Sequence, residues 1–235
     1  MIRASFGLTE TGVVRHENQD SYLLDPANGL FAVADGLGGL PMGEKASRLT
    51  LEVLKRRLNE NPGASLLQTV TETNEEIRDV GYSMAASGFG TTLTVARTNE
   101  EGKLLQLAHV GDSAAYLVHG DKLEVLTREH TVAARMMDDQ WMDASEAIPL
   151  SAHHTLTQCI GQDLYIDPQV AEFPIQGGDR LFLLTDGVIK PLPEGVLHAI
   201  LCRREPVASI GQSLSFKVEA AGSPDNYTII AIEFA

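Results

Sequence analysis

The sequence predicts an α+β fold of four layers, in which two antiparallel β-sheets pack face to face and a pair of helices flanks each outer face. The main observation is the order of segments along 235 residues: strands, two helices, strands, two helices and a closing strand. This order fits two packed sheets with helices outside, because sheets and helices each have an apolar face to bury. The chain contains no repeat, low-complexity tract or linker, so we predict a single domain over residues 1–235.

The elements of the first half follow from apolar periodicity and from turn residues. Short strands are predicted over 3–10 and within 21–34, where the residues Asp25-Pro26-Ala27-Asn28-Gly29 predict a hairpin turn. Residues 89–126 are predicted to be a meander of antiparallel strands. Leucines at helical spacing predict a helix over 43–59, and a longer apolar stripe predicts a second helix over 66–84.

The second half begins with the least regular part of the chain, residues 127–166, which are acidic and contain the only tryptophan, Trp141. We predict a short helix near 131–138, another near 144–148, and then a surface flap. An irregular segment beside a rigid site is where substrate selection is expected. The regular pattern then returns and predicts two strands, two helices and a final strand, over 168–173, 180–185, 194–203, 206–221 and 227–234.

Composition and charge exclude several classes of function. The net charge of −14 leaves no basic block to offset phosphate charge, which argues against a nucleic-acid or anionic-membrane partner. No apolar run is long enough for a membrane span, and the N-terminus lacks the apolar stretch of a signal peptide. Cys159 and Cys202 are far apart and form no CxxC motif, so we expect free thiols in a reducing, cytoplasmic compartment.

Aspartates end three of the apolar, strand-like runs. Asp35, Asp112 and Asp186 each follow such a run, and Asp225 lies in a turn just before the last strand. Strand ends of a sandwich can converge on one rim, where four carboxylates would repel one another severely without bound cations. Oxygen ligands suit Mg²⁺ or Mn²⁺, and no Cys or His cluster competes for a softer metal. The joint pattern therefore predicts a metal site, although Asp112 or Asp186 alone would be better explained as a turn.

Two local patterns are consistent with binding of a metal ion and a phosphate, but each has an alternative explanation. Glycines follow Asp35 closely, in Asp35-Gly36-Leu37-Gly38-Gly39, and would let the Gly36 carbonyl bind an ion beside the carboxylate. A glycine-rich turn before the first helix explains this pattern equally well. Arg15 precedes Asp20 by five residues. The planar fork of an arginine suits a phosphate, but an isolated Arg and Asp at this spacing are more often a surface ion pair.

Seven short stretches carry the most specific pattern in the chain, namely Val14–Asp20, Val33–Gly39, Gly43–Ser47, Gly90–Leu93, His109–Ser113, Thr185–Gly187 and Asp225–Thr228. As a set they resemble the PP2C-like, metal-dependent protein serine/threonine phosphatases, specifically their short bacterial branch. They occur in the family's order and with its spacing over nearly the whole chain. The family fold is a β-sandwich flanked by helices on both sides, which agrees with the predicted element order.

The resemblance implies metal ligands at the matching positions. Asp35 would bridge two Mn²⁺ or Mg²⁺ ions, and the carbonyl of Gly36 would bind one of them. Asp186 and Asp225 would complete the protein ligands of the other ion. Asp20 would hold metal-bound water, so that the catalytic carboxylates would be those of Asp20, Asp35 and Asp186.

The resemblance also implies a mechanism. Asp112 and Asp186 would hold a third and weaker ion that is typical of the bacterial branch, and Arg15 would bind the substrate phosphate. Two ions that share Asp35 would lower the pKa of a bridging water and aim the resulting hydroxide in line at phosphorus. We therefore expect direct attack by a metal-bridging hydroxide, without a phosphoenzyme.

The donor of a proton to the leaving group is not identified by these motifs. Some relatives, mainly eukaryotic, carry a histidine after the Asp-Gly pair that is thought to have this role, whereas this chain has Leu37. Metal-bound water is then the first candidate, and His153 or His154 in the flap is the second.

The predicted function is hydrolysis of phosphoserine and phosphothreonine in proteins, opposing a bacterial Ser/Thr kinase, by a cytoplasmic monomer. One alternative is a phosphatase-like regulatory module that has lost activity, but every aspartate of the expected metal site is present. Another is a dedicated regulator that dephosphorylates one anti-anti-sigma-type partner, and the lack of an appended sensor or switch domain argues against it.

Overall fold

The computed structural model describes residues 1–37, 42–84, 88–99, 101–138 and 148–235. These ranges contain ten strands, six α-helices and a short 3-10 helix. The strands are β1 Ile2–Glu10, β2 Asp20–Asp25, β3 Leu30–Asp35, β4 Leu93–Thr98, β5 Leu104–Val110, β6 Ala114–His119, β7 Lys122–Val125, β8 Gln169–Pro174, β9 Arg180–Leu184 and β10 Tyr227–Phe234. The helices are α1 Gly43–Glu60, α2 Leu66–Ser83, α3 Val132–Asp138, α4 Asp186–Ile189, α5 Glu194–Leu201 and α6 Val207–Ala220, and the 3-10 helix is Leu150–His153.

The strands form two five-stranded antiparallel sheets, which confirms the predicted fold class. One sheet has the order β1-β10-β9-β6-β7 and the other the order β2-β3-β4-β5-β8. The predicted single meander over 89–126 is wrong, because β4 and β5 belong to one sheet while β6 and β7 belong to the other. The chain crosses between the sheets just after β5, at Gly111, whose φ of 114° is readily adopted only by glycine.

An apolar layer joins the two sheets, and helices cover their outer faces. Successive side chains of a strand point to opposite sides. On β3, Phe31 and Val33 lie in the layer between the sheets, whereas Ala32 and Ala34 lie in the layer under α1 and α2. Strands β9 and β10 are buried on both sides in the same way, with α5 and α6 over the outer side. Strands β3, β9 and β10 are therefore largely apolar, and their polar residues lie near the ends.

The predicted helices agree with the structure except in two places. The four-residue helix α4, directly after β9, is absent from the sequence prediction, because a single turn is too short to show apolar periodicity. The predicted helix near 144–148 lies outside the described residues apart from residue 148, which is not helical. Trp141, Gly38 and Gly39 also lie outside them. Within the described ranges, no helix has the length and apolar character needed to cross a bilayer.

Candidate active site

Strand ends from both sheets line one polar cavity of about 340 Å³. Asp35 ends β3 of one sheet, Asp186 follows β9 of the other sheet, and Asp112 lies where the chain crosses between them. The lining residues are Arg15, Asp35, Gly36, Leu37, Thr92, Asp112, His154, Leu156, Asp186, Lys190, Asp225 and Asn226. The fold thus brings residues from distant parts of the chain to one rim of the sandwich.

Three of the four strand-end aspartates form a compact group. Asp35, Asp112 and Asp186 each present a carboxylate oxygen, and these oxygens lie within 4.8 Å of one another. Burial raises the pKa of Asp35 well above its usual range, and the charges of Asp20, Asp186 and Asp112 raise it further. Burial is also the main reason that the pKa of Asp112 is raised to about 6. Such a group is stable at neutral pH only with bound protons or a nearby cation.

Asp20 lies behind this group, because β2 pairs with β3 in a register that sets Asp20 opposite Asp35. Its Oδ2 accepts hydrogen bonds from the hydroxyls of Thr185 (2.8 Å) and Thr228 (2.7 Å). Its Oδ1 is buried and has no hydrogen-bond partner among the described residues. Burial raises the pKa of Asp20 to about 7, against the effect of the two hydroxyls. A buried carboxylate oxygen without a partner is unfavourable, so the site fits a divalent cation and its water.

Asp225, the fourth aspartate, faces the cavity but is paired with Arg15. The guanidinium Nε lies 2.8 Å from Oδ1 of Asp225, and a second nitrogen lies 2.8 Å from Oδ2. This bidentate hydrogen bond is the main reason that the pKa of Arg15 is raised. Both side chains are more than a third exposed, so the pair adds little to stability. The structure therefore brings Arg15 to the cavity and leaves Asp225 outside the group of three carboxylates.

Two threonines and a glycine hold the backbone of Asp35. Its N–H donates to the Thr92 hydroxyl (3.0 Å), and its carbonyl accepts from the Thr91 hydroxyl and the Thr92 N–H (both 2.8 Å). Gly36 leaves no room for a side chain, because a Cβ there would lie 2.4 Å from the carbonyl oxygen of the first residue of α1. The φ of Gly36 is not positive, so close packing, rather than a left-handed turn, explains this glycine.

Asn226 has a role that the local sequence does not indicate. Its Oδ1 accepts a hydrogen bond from the Gln19 N–H (2.9 Å), and its Nδ2 donates to the carbonyls of Thr11 (2.8 Å) and Glu17 (2.9 Å). These bonds fasten the loop that carries Arg15 to the start of β10. The only indication in the sequence was that Asn226 belongs to the Asp225–Thr228 stretch. Its contacts with Thr11, Glu17 and Gln19, more than 200 residues earlier, could not be inferred from that position.

Lys190 is a second residue for which the sequence pattern indicates no role. It follows the last residue of α4, and its Nζ lies 2.5 Å from Oδ2 of Asp186 and 2.9 Å from Oδ2 of Asp112. The same Nζ lies 3.3 Å from Nδ1 of His154, which lines the cavity, whereas His153 is not among the described lining residues. The spacing of four between Asp186 and Lys190 indicates an ion pair only once a helix is known.

One ammonium group does not neutralise the carboxylates around it. Burial by itself would lower the pKa of Lys190, but the charges of Asp186 and Asp112 raise it above its usual range. The pKa of Asp112 is nevertheless raised, because burial and the charge of Asp186 outweigh the attraction of Lys190. The cavity thus keeps an excess of negative charge that a divalent cation would offset.

Two packed sheets with carboxylates and an arginine fork at one rim are the arrangement expected of a metal-dependent phosphatase, since hard oxygen ligands suit divalent cations and the fork suits a phosphate group. Comparison with known proteins then identifies the family. The family model for protein phosphatase 2C matches residues 6–136, more than half of the chain, so the chain belongs to the protein phosphatase 2C family. It is an enzyme, a protein phosphatase, as the sequence motifs predicted.

Relatives and solved structures agree with this family. The serine/threonine phosphatase stp of Listeria innocua is 26% identical over 237 residues, which cover 96% of this chain and 93% of the relative. The PPM Ser-Thr phosphatase MsPP of Mycobacterium smegmatis, solved in complex with cacodylate, is 28% identical with a TM-score of 0.86, covering 100% and 99% of the two chains. The catalytic domain of the serine/threonine protein phosphatase PstP, solved with 2 manganese ions, is 27% identical with a TM-score of 0.83, covering 98% and 97%.

Proposed function

We propose that this protein phosphatase hydrolyses phosphoserine and phosphothreonine in proteins, with Mn²⁺ or Mg²⁺ as its cofactor. One observation carries the proposal: the carboxylates of Asp35, Asp112 and Asp186 converge in the cavity that Arg15 also lines. The names of the relatives support the substrate class, and the 2 manganese ions of the PstP catalytic domain support the metal.

The metal ions would be held by oxygen atoms of five residues. Asp35 and the carbonyl of Gly36 would bind one ion, and Asp35, Asp186 and Asp225 the other, with Asp20 bonded through water. Bound divalent ions supply Lewis acidity, which neutralises phosphate charge and makes water a nucleophile at neutral pH. The buried, partnerless Oδ1 of Asp20 supports this assignment, because it calls for a polar partner.

Arg15 would bind the phosphate of the substrate. Its two N–H groups that now face the carboxylate of Asp225 have the spacing that two phosphate oxygens also match. Binding of a cation by Asp225 would release the guanidinium for the phosphate. Arg15 would then place positive charge beside the phosphate oxygens, where negative charge increases in the transition state.

A serine or threonine leaving group must also receive a proton. Leu37 lines the cavity and has no proton to donate, so water held in the site is the first candidate and His154 the second. A His154→Gln variant distinguishes them, because p-nitrophenolate leaves without a proton. If His154 is the donor, hydrolysis of a phosphoserine peptide falls while hydrolysis of p-nitrophenyl phosphate persists; if water is the donor, both persist.

The biological setting is part of the same proposal. The substrates would be phosphoproteins made by a Ser/Thr kinase, and the enzyme would act as a monomer in the cytoplasm. The segment 127–166 would select among phosphopeptides, since part of it, including His154, lines the cavity. Exchange of this segment with that of a relative should change phosphopeptide preference and spare small-substrate hydrolysis; equal loss of both activities would refute this role.

Carboxamide substitutions test the proposed function directly. Asp35→Asn and Asp186→Asn should each reduce Mn²⁺-dependent hydrolysis of p-nitrophenyl phosphate by at least about 100-fold, because each removes a charged ligand. Asp121→Asn is a matched control, since Asp121 is exposed and pairs with Arg204 at the surface. Activity of Asp35→Asn close to that of Asp121→Asn would contradict the proposed site.

A further inference from the structure

The ammonium group of Lys190 lies where the family resemblance implies a third divalent ion. That ion would be shared by Asp112 and Asp186, and in the structure the Oδ2 atoms of these residues lie 2.9 and 2.5 Å from Lys190 Nζ. These are distances of charge-assisted hydrogen bonds. A Mg²⁺ ion binds carboxylate oxygens at about 2.1 Å, so an ion that bridges the same two atoms would overlap the ammonium group.

The position of Lys190 follows from the local fold. Its N–H donates to the carbonyl of Asp186 (2.8 Å), and this closes the turn of α4. Residues four apart on a helix face the same side, so the side chains of Asp186 and Lys190 lie next to each other. The Lys190 side chain is 29% exposed, and those of Asp112 and Asp186 are 7% and 15% exposed. Salt screens pairs at this depth much less than it screens surface pairs.

We propose that Lys190 replaces the third divalent ion of this site, so that the protein binds two ions and needs no third. This inference rests on the proposed metal site around Asp35. Lys190 is then a positioning residue: it fixes the carboxylate of Asp112 and uses Oδ2 of Asp186, which leaves the other oxygen of Asp186 for the two-ion site.

The replacement has a consequence for regulation by metal. A weakly bound third ion would leave the site when the metal concentration falls, whereas a covalently attached ammonium group remains. Activity should therefore follow the filling of two ion sites, without a further rise at high Mn²⁺ concentration. Lys190 also donates toward Nδ1 of His154, so its position is linked to the segment that carries this histidine.

The number of bound Mn²⁺ ions tests the inference. Isothermal titration calorimetry and electron paramagnetic resonance of free Mn²⁺ would be applied to the wild type, Lys190→Met, Lys190→Arg and Lys55→Met. Lys55 is the control, because its ammonium pairs with Asp25 away from the cavity. We expect about two ions per chain for the wild type, Lys190→Arg and Lys55→Met, and about three for Lys190→Met, with the third ion bound more weakly than the other two.

Two results would overturn the inference: three ions bound by the wild type, or no additional ion bound by Lys190→Met. A wild type that binds no Mn²⁺ would instead refute the proposed metal site itself. The number of Mn²⁺ ions bound by the wild type tests the inference even if Lys190→Met does not fold. A second measurement is thermal unfolding without metal, where Lys190→Met should have a lower Tm than Lys55→Met and should regain it when Mn²⁺ is added. An unchanged Tm without metal would count against a role for the ammonium group.

Discussion

Arg15 and Asp225 are partners in the structure, yet each has another partner in the proposed reaction. The fork of Arg15 makes two hydrogen bonds with one carboxylate, and a phosphate offers a similar pair of oxygens. The exposed location makes exchange of partners easy, because an ion pair of this kind contributes little stability. The pair therefore holds the guanidinium in the cavity without trapping it.

Replacement of Arg15 by lysine tests the importance of the fork. Lysine keeps the positive charge but cannot make two parallel hydrogen bonds, so Arg15→Lys should lower kcat/KM for a phosphopeptide by about 10- to 100-fold. Steady-state kinetics at saturating Mn²⁺ would measure this. Arg3→Lys is the matched control, since Arg3 forms an exposed pair with Glu233. If the two variants have equal kcat/KM, the planar fork is not required.

His109 should limit stability in acid. It is buried in β5, its Nδ1 shares a hydrogen bond with the Thr94 hydroxyl, and its ring lies 5.0 Å from that of His130. Burial, and then the charge of His130, lower the pKa of His109 from 6.5 to about 3. The unfolded chain therefore binds a proton first, so stability that is present above pH 6.5 is lost as the pH falls toward 3.

Urea unfolding at pH 7 and pH 4 would measure this loss. His109→Gln should lose less stability between the two pH values than the wild type, whatever its stability at pH 7. His198→Gln is the control, because His198 is exposed on α5. If all three proteins lose the same free energy of unfolding between pH 7 and pH 4, the burial of His109 does not cause the loss of stability in acid.

Single residues of the site differed in how well the sequence predicted them. Asp35, Asp112 and Asp186 were predictable, because an aspartate at the end of an apolar strand is a pattern that can be seen in the local sequence. The fold then brings the three strand ends together. Asn226 and Lys190 did not, because their roles arise from contacts with the loop before β2 and with Asp112, which depend on the tertiary structure.

At the scale of elements, the short helix α4 begins with Asp186, a proposed metal ligand, and packs against the turn just before β10. Gly187 packs against the Asn226 carbonyl so closely that a Cβ would lie 1.9 Å from the oxygen. The helix therefore cannot carry a larger residue here without moving Asp186 or the Asp225–Asn226 turn. Glycine at this position sets the spacing between two parts of the proposed metal site.

Gly187→Ala should therefore reduce both stability and activity. Overpacking against a backbone carbonyl is expected to lower the free energy of unfolding by about 1–3 kcal/mol, and the displaced carboxylates should lower Mn²⁺-dependent hydrolysis. The comparison is Gly195→Ala in the first turn of α5, where no atom lies within 4 Å of the added Cβ. There, alanine should be neutral or stabilising by up to about 1 kcal/mol. A Gly187→Ala protein as stable and active as Gly195→Ala would show that this packing is not needed.

Helices were predictable where the apolar periodicity extends over several turns. Helices α1, α2 and α6 have several apolar turns, and the structure places them within two residues of the predicted bounds. The meander failed for another reason: the pattern of β4 to β7 is the same whether consecutive strands share a sheet or not. Only the partners of each strand decide this, and they include β8 and β9, which come much later in the chain.

At the scale of the whole molecule, the negative charge has two parts, one on the surface and one in the cavity, and salt affects them differently. The net charge of −14 is mostly a surface property that salt can screen. The carboxylates of Asp20 and Asp112 are buried and those of Asp35 and Asp186 are half-buried, so salt screens their repulsion in the folded state much less. Residues from six of the seven motif stretches line the one cavity, where a divalent cation would offset the repulsion between the carboxylates.

Stability without metal should consequently fall as the pH rises. The pKa values of Asp20 and Asp112 are raised from 3.8 to about 7 and about 6, so between these limits the folded state holds protons that the unfolded chain has released. Their stabilising contribution is complete below pH 3.8 and is lost as the pH rises through 6 and 7. We expect the Tm of the metal-free protein to fall by roughly 5 °C between pH 5 and pH 8.

Three comparisons separate this effect from other causes. Because His109 acts in the opposite direction below pH 6.5, the fall should be larger in His109→Gln than in the wild type. Asp20→Asn should reduce it, and added salt should leave much of it, since screening acts mainly on the exposed charges. Mn²⁺ at pH 8 should restore the Tm, because cations stabilise the ionised carboxylates of the folded state. A metal-free Tm that rises from pH 5 to pH 8 would mean that these carboxylates are not strained in the folded protein, and the electrostatic case for a metal at this rim would fail.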